Sequence, residues 1–352
     1  MAILDLSDIL VQAAQQQQEA AFLDGLHPAG LGRQAPILAA QRRRDEDVVM
    51  GMRRARHGVA GRSASVASAQ GRRPSMEDAF GQHWVTPPGA VAGPQVVALF
   101  DGHHGGAVAM TASRIVPSLV ALHLETLDPA ARAQPERVAA KLMAAFAAER
   151  GAPLGAGRRS RTAALLPTVD EALAAALAGR SYAGGGATAL VAVLWADQLY
   201  VANLGDSRAI LVHDDGRGQR LSQDQTLSVA DERESLRRRA GAAALRLRPG
   251  LQPRVMGGLP GRAYGLAVTR ALGDWHHPIL RRPRVSWIDR RQAPTATALM
   301  LGCDGIFDVM DDQVVACEVA AGGEAEDLVR GAYLRGGGDN LTAWVLPLSP
   351  PA

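Results

Sequence analysis

Four aspartates stand at the ends of apolar segments or in tight turns, each beside glycine or asparagine: Asp101, Asp206, Asp304 and Asp339. Aspartate is common in turns, so any one of them alone is explained as a turn residue. The apolar runs before Asp101 and Asp304, however, are typical of buried strands. A carboxylate at the end of a buried strand needs a counter-charge, and the chain has a single lysine, Lys141. The joint pattern therefore predicts a bound cation.

The ligand types indicate which cation. Carboxylates are hard oxygen ligands, and no matching cluster of histidine and cysteine accompanies them, which favours Mg²⁺ or Mn²⁺ over Zn²⁺. Another acidic point, Glu77-Asp78, lies upstream. Several converging carboxylates can hold two ions, an arrangement that activates water for attack on phosphorus.

The elements that must position these aspartates are short apolar strands alternating with helical stretches. Apolar runs ended by turn residues predict strands at Val96–Phe100, Ala187–Trp195, Leu199–Ala202, Ala209–Val212 and Thr297–Leu301. Apolar residues recurring every three or four positions predict helices at Ala107–Leu127, Glu136–Glu149, Ala230–Gly241, Asp312–Ala320 and Ala325–Tyr333. Residues 151–185 are expected to hold a loop and a helix ending near Gly179. Short turns between successive strands favour antiparallel pairing, so the predicted class is α+β, with helices packed on antiparallel sheets.

The first 62 residues differ in composition and are predicted to form a flexible tail, with the catalytic body at residues 63–348. The tail contains the glutamine run Gln15–Gln18 and the arginine clusters Arg42–Arg44 and Arg53–Arg56. Residues 1–75 carry ten arginines against seven acidic residues, which accounts for the whole net charge of +3. The rest of the chain is neutral, which argues against a nucleic-acid partner.

The chain carries few signs of export. Two cysteines, Cys303 and Cys317, cannot build a disulfide framework, and no uncharged apolar run of membrane-spanning length occurs. The N-terminus lacks a basic segment followed by an apolar one. These features predict an intracellular protein, in the cytoplasm or the nucleus, without a membrane partner.

Seven segments, in order, resemble the successive motifs of the protein phosphatase 2C family. They are Arg73-Pro74-Ser75-Met76-Glu77-Asp78, Asp101-Gly102-His103-His104-Gly105, Gly186-Ala187-Thr188-Ala189, Asn203 to Arg208, Leu266 to Asp274, Cys303 to Asp308, and Gly338 to Thr342. The resemblance spans roughly residues 63–348. It implies a metal-dependent protein serine/threonine phosphatase built as two stacked antiparallel β-sheets flanked by α-helices, acting on phosphoproteins as a monomer.

The resemblance also implies roles for individual residues. Two Mg²⁺ or Mn²⁺ ions would be held by Asp101, the Gly102 carbonyl, Asp304 and Asp339, with Glu77 and Asp78 holding metal-bound waters. A third, weaker ion would use Asp206, Asp304 and Asp308. Arg73 would bind the phosphate oxygens, with Arg72 as the substitute if the register slips by one, and His103 would protonate the leaving alkoxide.

Some positions depart from the family pattern or keep two interpretations. His104 stands where the family usually has a small residue, which makes the loop bulkier or adds a titrating group. Asp274 is expected to brace a turn or to lie near the metals. The pair His276-His277 is expected in a solvated loop, and Cys303 is expected to pack as a small apolar side chain.

Two other classes of function are compatible with the same carboxylates. A catalytically silent relative would bind phosphoproteins as a scaffold, but such proteins usually lose a metal ligand, and Asp101, Asp304 and Asp339 are all present. A two-metal nuclease or phosphodiesterase would need a basic groove, which the neutral body does not suggest. An active phosphatase is therefore the preferred interpretation.

Overall fold

The computed structural model describes residues 51–59, 62–84, 93–147, 166–178, 185–247, 252–259 and 262–350. In this part of the chain two antiparallel sheets lie face to face, and helices cover the outer face of each. The sheets stack because apolar side chains from both meet in one core, among them Leu99 and Val201 from one sheet and Ile210 and Leu299 from the other. The predicted α+β sandwich is confirmed.

The first sheet has six strands and the second has five, and every pairing in them is antiparallel. In spatial order the six-stranded sheet consists of β1 (Arg53–Val59), β2 (Arg62–Ala69), β17 (Leu341–Pro347), β16 (Ala296–Gly302), β9 (Arg208–His213) and β10 (Gly218–Arg220). The five-stranded sheet consists of β15 (Arg284–Asp289), β8 (Gln198–Leu204), β7 (Ala189–Trp195), β4 (Gln95–Phe100) and β3 (Ala79–His83).

The helices bury one apolar side against these sheets, as their residue spacing predicts. The five-stranded sheet is covered by α1 (Ala107–Glu125), α3 (Pro135–Phe146) and α4 (Val169–Leu177), joined by the single turn α2 (Pro129–Arg132). The six-stranded sheet is covered by α7 (Asp312–Ala320) and α8 (Ala325–Leu334), preceded by the single turn α6 (Asp304–Phe307). Helix α4 begins where the Thr168 hydroxyl accepts a bond from the Glu171 backbone and the Glu171 carboxylate accepts one in return.

Smaller sheets border the end of the sandwich where the aspartates lie. One joins β11 (Leu245–Arg246), β12 (Arg254–Leu259) and β13 (Arg262–Leu266), and helix α5 (Ala230–Ala240) precedes it. This region has its own apolar core, which includes Leu236, Val255 and Leu266. The other joins β14 (Leu272–Gly273), β6 (Gly186–Ala187) and β5 (Gly102–His103), and it links the chain around Asp101 to the chain before Asp274.

The sheet extends further toward the N-terminus than the predicted domain boundary. Residues 53–59, placed in the predicted tail, form β1 and pair along their whole length with β2, so the boundary at residue 63 falls inside a β-hairpin. The arginines that suggested a solvated tail form ion pairs at the sheet edge, Arg54 with Glu326 at 3.0 Å and Arg56 with Glu324 at 2.6 Å. Residues 1–50, with the glutamine run and the first arginine cluster, lie outside the described residues.

Helix α1 is long and apolar enough to cross a membrane by length and composition alone. In the sandwich 67% of its most apolar stretch is buried, and it packs on β3 and β4 and against α3 and α4. Its apolar character is therefore accounted for by the core that it covers.

Candidate metal centre

Strand ends from both sheets deliver carboxylates to one point. Asp101 directly follows β4 of the five-stranded sheet, while Asp304 follows β16 of the six-stranded sheet by one residue, Cys303. One carboxylate oxygen of each aspartate and the Sγ of Cys303 lie within 4.8 Å of one another. Asp78, just before β3, and Asp206, just after β8, lie close enough for their charges to act on Asp101. The charge of Asp304 in turn acts on both of them.

Burial and repulsion between like charges raise the pKa values of these carboxylates. Burial, with repulsion from Asp304 and other neighbours, raises the pKa of Asp78 to about 7 and that of Asp206 to about 7. Burial is also the main reason that the pKa of Asp304 rises to about 6 and that of Asp101 rises well above its ordinary value. The cluster therefore lacks a positive group strong enough to offset its negative charge.

A divalent cation fits this cluster. The donors are carboxylate oxygens, which suit hard ions, and Oδ1 of buried Asp78 has no hydrogen-bond partner among the described residues. Its other oxygen, Oδ2, accepts a bond from the Thr342 hydroxyl at 2.7 Å, which fixes the side chain in place. An orphaned carboxylate oxygen in a buried acidic cluster is the situation that a bound ion or its water relieves.

Gly102 and Glu77 are held together by a close backbone contact. A Cβ at position 102 would lie 2.2 Å from the Glu77 carbonyl oxygen, so only glycine fits there. The Glu77 backbone therefore requires a glycine at position 102 independently of the predicted role of the Gly102 carbonyl as a metal ligand. The Glu77 carboxylate accepts bonds from the Ser75 hydroxyl at 3.0 Å and from the Gly105 amide at 3.1 Å, so it ties together the two loops on either side of the cluster.

Asp339 stands apart from the tight group. It lines the same cavity, but its Oδ2 accepts a bond of 2.5 Å from Arg73 and its Oδ1 accepts one of 2.7 Å from the Asn340 amide. Both of its oxygens are thus engaged within the protein. A cation bound to Oδ2 of Asp339 would have to replace the Arg73 guanidinium as its partner.

The two neighbouring arginines have different tasks. Arg72 donates to the backbone carbonyls of Gly337 at 2.6 Å and Tyr333 at 3.3 Å, and it stacks on the Tyr333 ring. Arg73 lines the cavity, and just over half of its side chain is exposed. Arg72 is therefore a structural anchor, and Arg73 is the arginine that faces the cavity, as the preferred register predicts.

Asp206 and Asp308, which the sequence assigns to a weaker site, both lie on the cavity wall. Both line the cavity with Asp304, and the charge of Asp308 acts on Asp304. Burial, followed by repulsion from Asp339, raises the pKa of Asp308. The Asp308 amide donates to the Asp304 carbonyl at 2.7 Å, which places both residues on the single turn α6.

His103 has a buried partner that the sequence left undecided. Its Nε2 lies 2.5 Å from Oδ2 of Asp274, a carboxylate with no solvent exposure. A Cβ on Gly186 would lie 2.0 Å from this carboxylate oxygen and 2.7 Å from the imidazole Nε2, so the pair forms only because residue 186 has no side chain. Asp274 therefore binds the histidine, in addition to bracing its turn.

Three aromatic rings in tilted contact lie beside His103 and Asp274. Tyr264 lies between His104, at 4.0 Å between ring centroids, and His277, at 4.3 Å, and its hydroxyl donates to Oδ1 of Asp274 at 3.4 Å. His277 is buried, so the prediction of a solvated loop is wrong for this residue. Its Nε2 bonds the Tyr264 carbonyl at 3.2 Å, an interaction with a distant strand that no local pattern reveals.

Several residues of the quoted motifs matter although the sequence assigned them no role. The Thr188 hydroxyl accepts a bond from the Asp101 amide at 3.1 Å, and Asn340 accepts one from the Glu77 amide at 2.8 Å. Cys303 packs in the core as predicted, but its thiol also lies within the carboxylate cluster, where burial and the nearby aspartates raise its pKa. Cys303 and Asn340 stand next to Asp304 and Asp339 in the sequence, which was a signal for these two supports, whereas Thr188 is adjacent to none of the aspartates.

The cluster opens into one cavity of about 770 Å³. Acidic residues, Arg73, His103 and His104 line it on one side, and residues of the small sheet β11–β13 line it as well, including Arg254 and Gly265. A cavity of this size accommodates a phosphorylated side chain with part of its peptide.

Comparisons with known proteins agree with this geometry. The family model described as protein phosphatase 2C matches residues 63–328. The chain is 36% identical over 160 residues to a probable protein phosphatase 2C of Arabidopsis thaliana, covering 43% of this chain and 41% of the relative. It is 30% identical over 312 residues to a probable protein phosphatase 2C of Oryza sativa subsp. japonica, covering 82% of this chain and 66% of the relative.

The fold has solved counterparts. The crystal structure of serine-threonine phosphatase 2C from Toxoplasma gondii matches with a TM-score of 0.61 at 20% identity, covering 85% of this chain and 99% of that one. A sex-determining protein of C. elegans matches with a TM-score of 0.58 at 23% identity, covering 82% and 65%. The chain spans less than half the length of the first relative named above and about two thirds of the second. By the extent of the family match and the carboxylate cluster within it, this chain belongs to the protein phosphatase 2C family.

Proposed function

We propose that this protein is a serine/threonine phosphatase that hydrolyses phosphoserine and phosphothreonine in proteins at a centre of two Mg²⁺ or Mn²⁺ ions. The observation that carries the proposal is the buried group of Asp78, Asp101, Asp206 and Asp304, whose raised pKa values reflect negative charge without compensation. Arg73 and His103 line the same cavity, so a phosphate binder and a proton donor accompany the cation site.

The cations would be held by Asp101, the Gly102 carbonyl, Asp304 and Asp339, with Glu77 and Asp78 orienting bound water and with Asp206 and Asp308 serving a weaker third ion. Bound there, they would supply a water of lowered pKa and positive charge beside the phosphate. Thr342 supports this role by fixing Asp78, and Thr188 by fixing the backbone of Asp101.

Arg73 would change partners when the site is loaded. Its guanidinium donates to Oδ2 of Asp339, and half of the side chain is exposed, so the arginine can swing within the cavity. With a cation held at Asp339, that carboxylate would no longer need Arg73, and the planar fork of Arg73 would be free to bind two phosphate oxygens.

His103 would supply the proton that the leaving alkoxide needs. Asp274 accepts from Nε2, which fixes the ring, and Nδ1 is then the atom that would donate to the substrate oxygen. His103 lines the cavity and is partly exposed, whereas Asp274 is wholly buried. Asp274 is therefore a positioning residue.

Two measurements test the proposal. Phosphate release from a phosphothreonine peptide should stop in excess chelator and return with Mn²⁺; release that continues in chelator would contradict it. His103→Gln should slow hydrolysis of the peptide by about 10²-fold or more and that of p-nitrophenyl phosphate much less, because nitrophenolate leaves without a proton. His104→Gln and the double variant show whether the neighbouring imidazole can substitute.

The alternatives give different outcomes in the same assays. A silent scaffold would bind a phosphopeptide without releasing phosphate under any metal condition. A nuclease or phosphodiesterase would cleave a phosphodiester such as bis-p-nitrophenyl phosphate faster than the monoester. The presence of Arg73 and His103 beside the carboxylates favours the monoester.

A further inference from the structure

Among the described residues, Arg254 is the arginine of the cavity wall that has no acidic partner. Three arginines line the cavity, and two are paired: Arg73 with Asp339, and Arg208 with Asp224 and Asp312. Arg254 donates only to the uncharged amide oxygen of Gln252, at 2.8 Å, and forms no ion pair with any residue that the structure describes. A cation on the wall of a cavity without a carboxylate partner is available to an anionic ligand.

The strand next to Arg254 leaves room for its side chain. A Cβ on Gly265 of β13 would lie 2.7 Å from Cβ and 3.2 Å from Cγ of Arg254. Because residue 265 is glycine, the arginine stem lies across β13, and both residues reach the cavity. The register of the small sheet thus directs a positive group toward the substrate.

A second arginine stands directly opposite. Arg246 of β11 pairs in register with Arg254 of β12, so the two side chains share one face of the small sheet. Like charges directly opposite each other are unfavourable, and neither forms an ion pair within the described part of the chain. An anion placed between them would relieve this repulsion.

The transferred phosphate does not satisfy this pair. In the proposed function its position would be set by the carboxylate cluster and Arg73, which belong to the sandwich, whereas Arg246 and Arg254 belong to the separate sheet β11–β13. An anion bound by the small sheet is therefore a second negative group on the same substrate.

Building on the proposed phosphatase activity, we propose that Arg254, assisted by Arg246, forms a subsite that selects phosphopeptides carrying another anionic group near the phosphorylated residue. Either a carboxylate side chain or a second phosphate supplies the chemistry that a guanidinium pair binds. The protein would thus favour acidic or multiply phosphorylated segments over neutral ones.

The test compares phosphothreonine peptides of equal length in three forms: with neutral flanks, with aspartates two residues to either side, and with a non-hydrolysable phosphonate at those positions. In the wild type, kcat/KM for the anionic forms should exceed that for the neutral form by roughly tenfold, the effect of one charge-assisted contact. Comparison of the aspartate and phosphonate arms shows which anion the subsite prefers.

Variants assign the preference to the named residues. Arg254→Ala should abolish most of the ratio between anionic and neutral peptides, Arg246→Ala should reduce it partly, and Arg254→Lys should retain part of it. Arg137→Ala, on the exposed side of α3, removes the same charge at a distance and should leave the ratio unchanged. Added salt should lower the ratio more in the wild type than in Arg254→Ala.

The results that would contradict the proposed subsite differ from those that would contradict the proposed phosphatase activity. An unchanged ratio in Arg254→Ala contradicts the proposal, and so does an equal loss on neutral peptide and p-nitrophenyl phosphate, which would assign Arg254 to the transferred phosphate. Absence of phosphate release from every substrate would instead refute the proposed function. In that case the preference can be measured as binding, by fluorescence anisotropy of labelled peptides in which a phosphonate replaces the scissile phosphate. The subsite requires that the anionic peptides still bind more tightly than the neutral one.

Discussion

This molecule buries carboxylates in two regions and treats them in opposite ways. Glu232, at the start of α5, is fully buried and accepts bonds of 2.8 Å from both Arg270 and Arg284 and one of 2.9 Å from the Thr269 hydroxyl. Burial alone would raise its pKa, but these partners outweigh burial and lower it. In the candidate metal centre, Asp78, Asp101 and Asp304 form no ion pair with an arginine of the described residues, and their pKa values rise.

The difference separates a structural charge from a binding site. Glu232 is neutralised by the protein itself, and its ion pairs join α5 to the segments around residues 270 and 284. The aspartate cluster is left for a ligand to neutralise. The following predictions test that distinction from the largest expected effect to the smallest.

Removing the charge at Glu232 should be strongly destabilising. Glu232→Gln leaves two arginines beside a neutral amide, and breaking a buried ion pair costs about 3 to 5 kcal/mol. Urea unfolding should show this loss equally with and without Mn²⁺. Glu234→Gln, two residues away, removes a half-exposed carboxylate that pairs only with the surface arginines Arg237 and Arg238; it is the matched control and should change stability by less than about 0.5 kcal/mol. Similar values for the two variants would refute the internal compensation.

Removing the charge at Asp101 should have the opposite sign in the absence of metal. Asp101→Asn relieves repulsion among buried carboxylates, so the metal-free protein should become more stable. The wild type should gain about 2.7 kcal/mol at Mn²⁺ a hundredfold above its dissociation constant, and the variant should gain almost nothing. Asp308→Asn should retain most of the gain, because Asp308 belongs to the proposed weaker site. Equal losses in both variants would refute the division of roles.

The pH dependence of stability should change with metal. The folded metal-free protein keeps protons on carboxylates whose pKa values are raised to about 6 or 7, whereas the unfolded chain releases them near pH 4. These protonated carboxylates therefore contribute to the stability of the folded metal-free protein at low pH, and this contribution is lost as the pH rises through 4 to 7. With saturating Mn²⁺ this loss should vanish. A flat profile in chelator would contradict the raised pKa values.

The half-buried His57 should give a smaller pH dependence of stability, in the opposite direction. His57 lies against the Trp344 and Trp84 rings, and burial lowers its pKa. The folded protein therefore takes up a proton on His57 less readily than the unfolded chain, so its contribution to stability is present above about pH 6.5 and is lost as the pH falls below that value. His57→Phe should reduce this acid-side loss. The readout is the difference in unfolding free energy between variant and wild type at pH 7.5 and 5.5; a constant difference would exclude His57 from the effect.

The sequence predicted the elements with strong periodicity and missed those that depend on tertiary pairing. Helix Asp312–Ala320 was predicted with its observed bounds, because its apolar spacing and its ends are local features. Strand β2 was not predicted, since its serines and alanines carry little apolar signal until β1 and β17 pair with it.

The same division applies to the site. Aspartates at strand ends are visible in the sequence, so the cluster around Asp101 and Asp304 could be predicted. The bond between His103 and Asp274 and the ring stack on Tyr264 join residues far apart in the chain, and only folding reveals them. The pairing of Arg73 with Asp339, two predicted site residues, was likewise invisible.

The central claim is that the buried aspartates form a cation-binding site. Proton release on metal binding tests this claim most directly. Calorimetric titration of the chelator-treated protein with Mn²⁺ at pH 6, in buffers of different ionisation enthalpy, counts the protons displaced. The raised pKa values predict that protons leave with each binding event at pH 6, that fewer leave at pH 8, and that Asp101→Asn binds weakly. Binding without proton release at pH 6, or no binding by the wild type, would contradict the account.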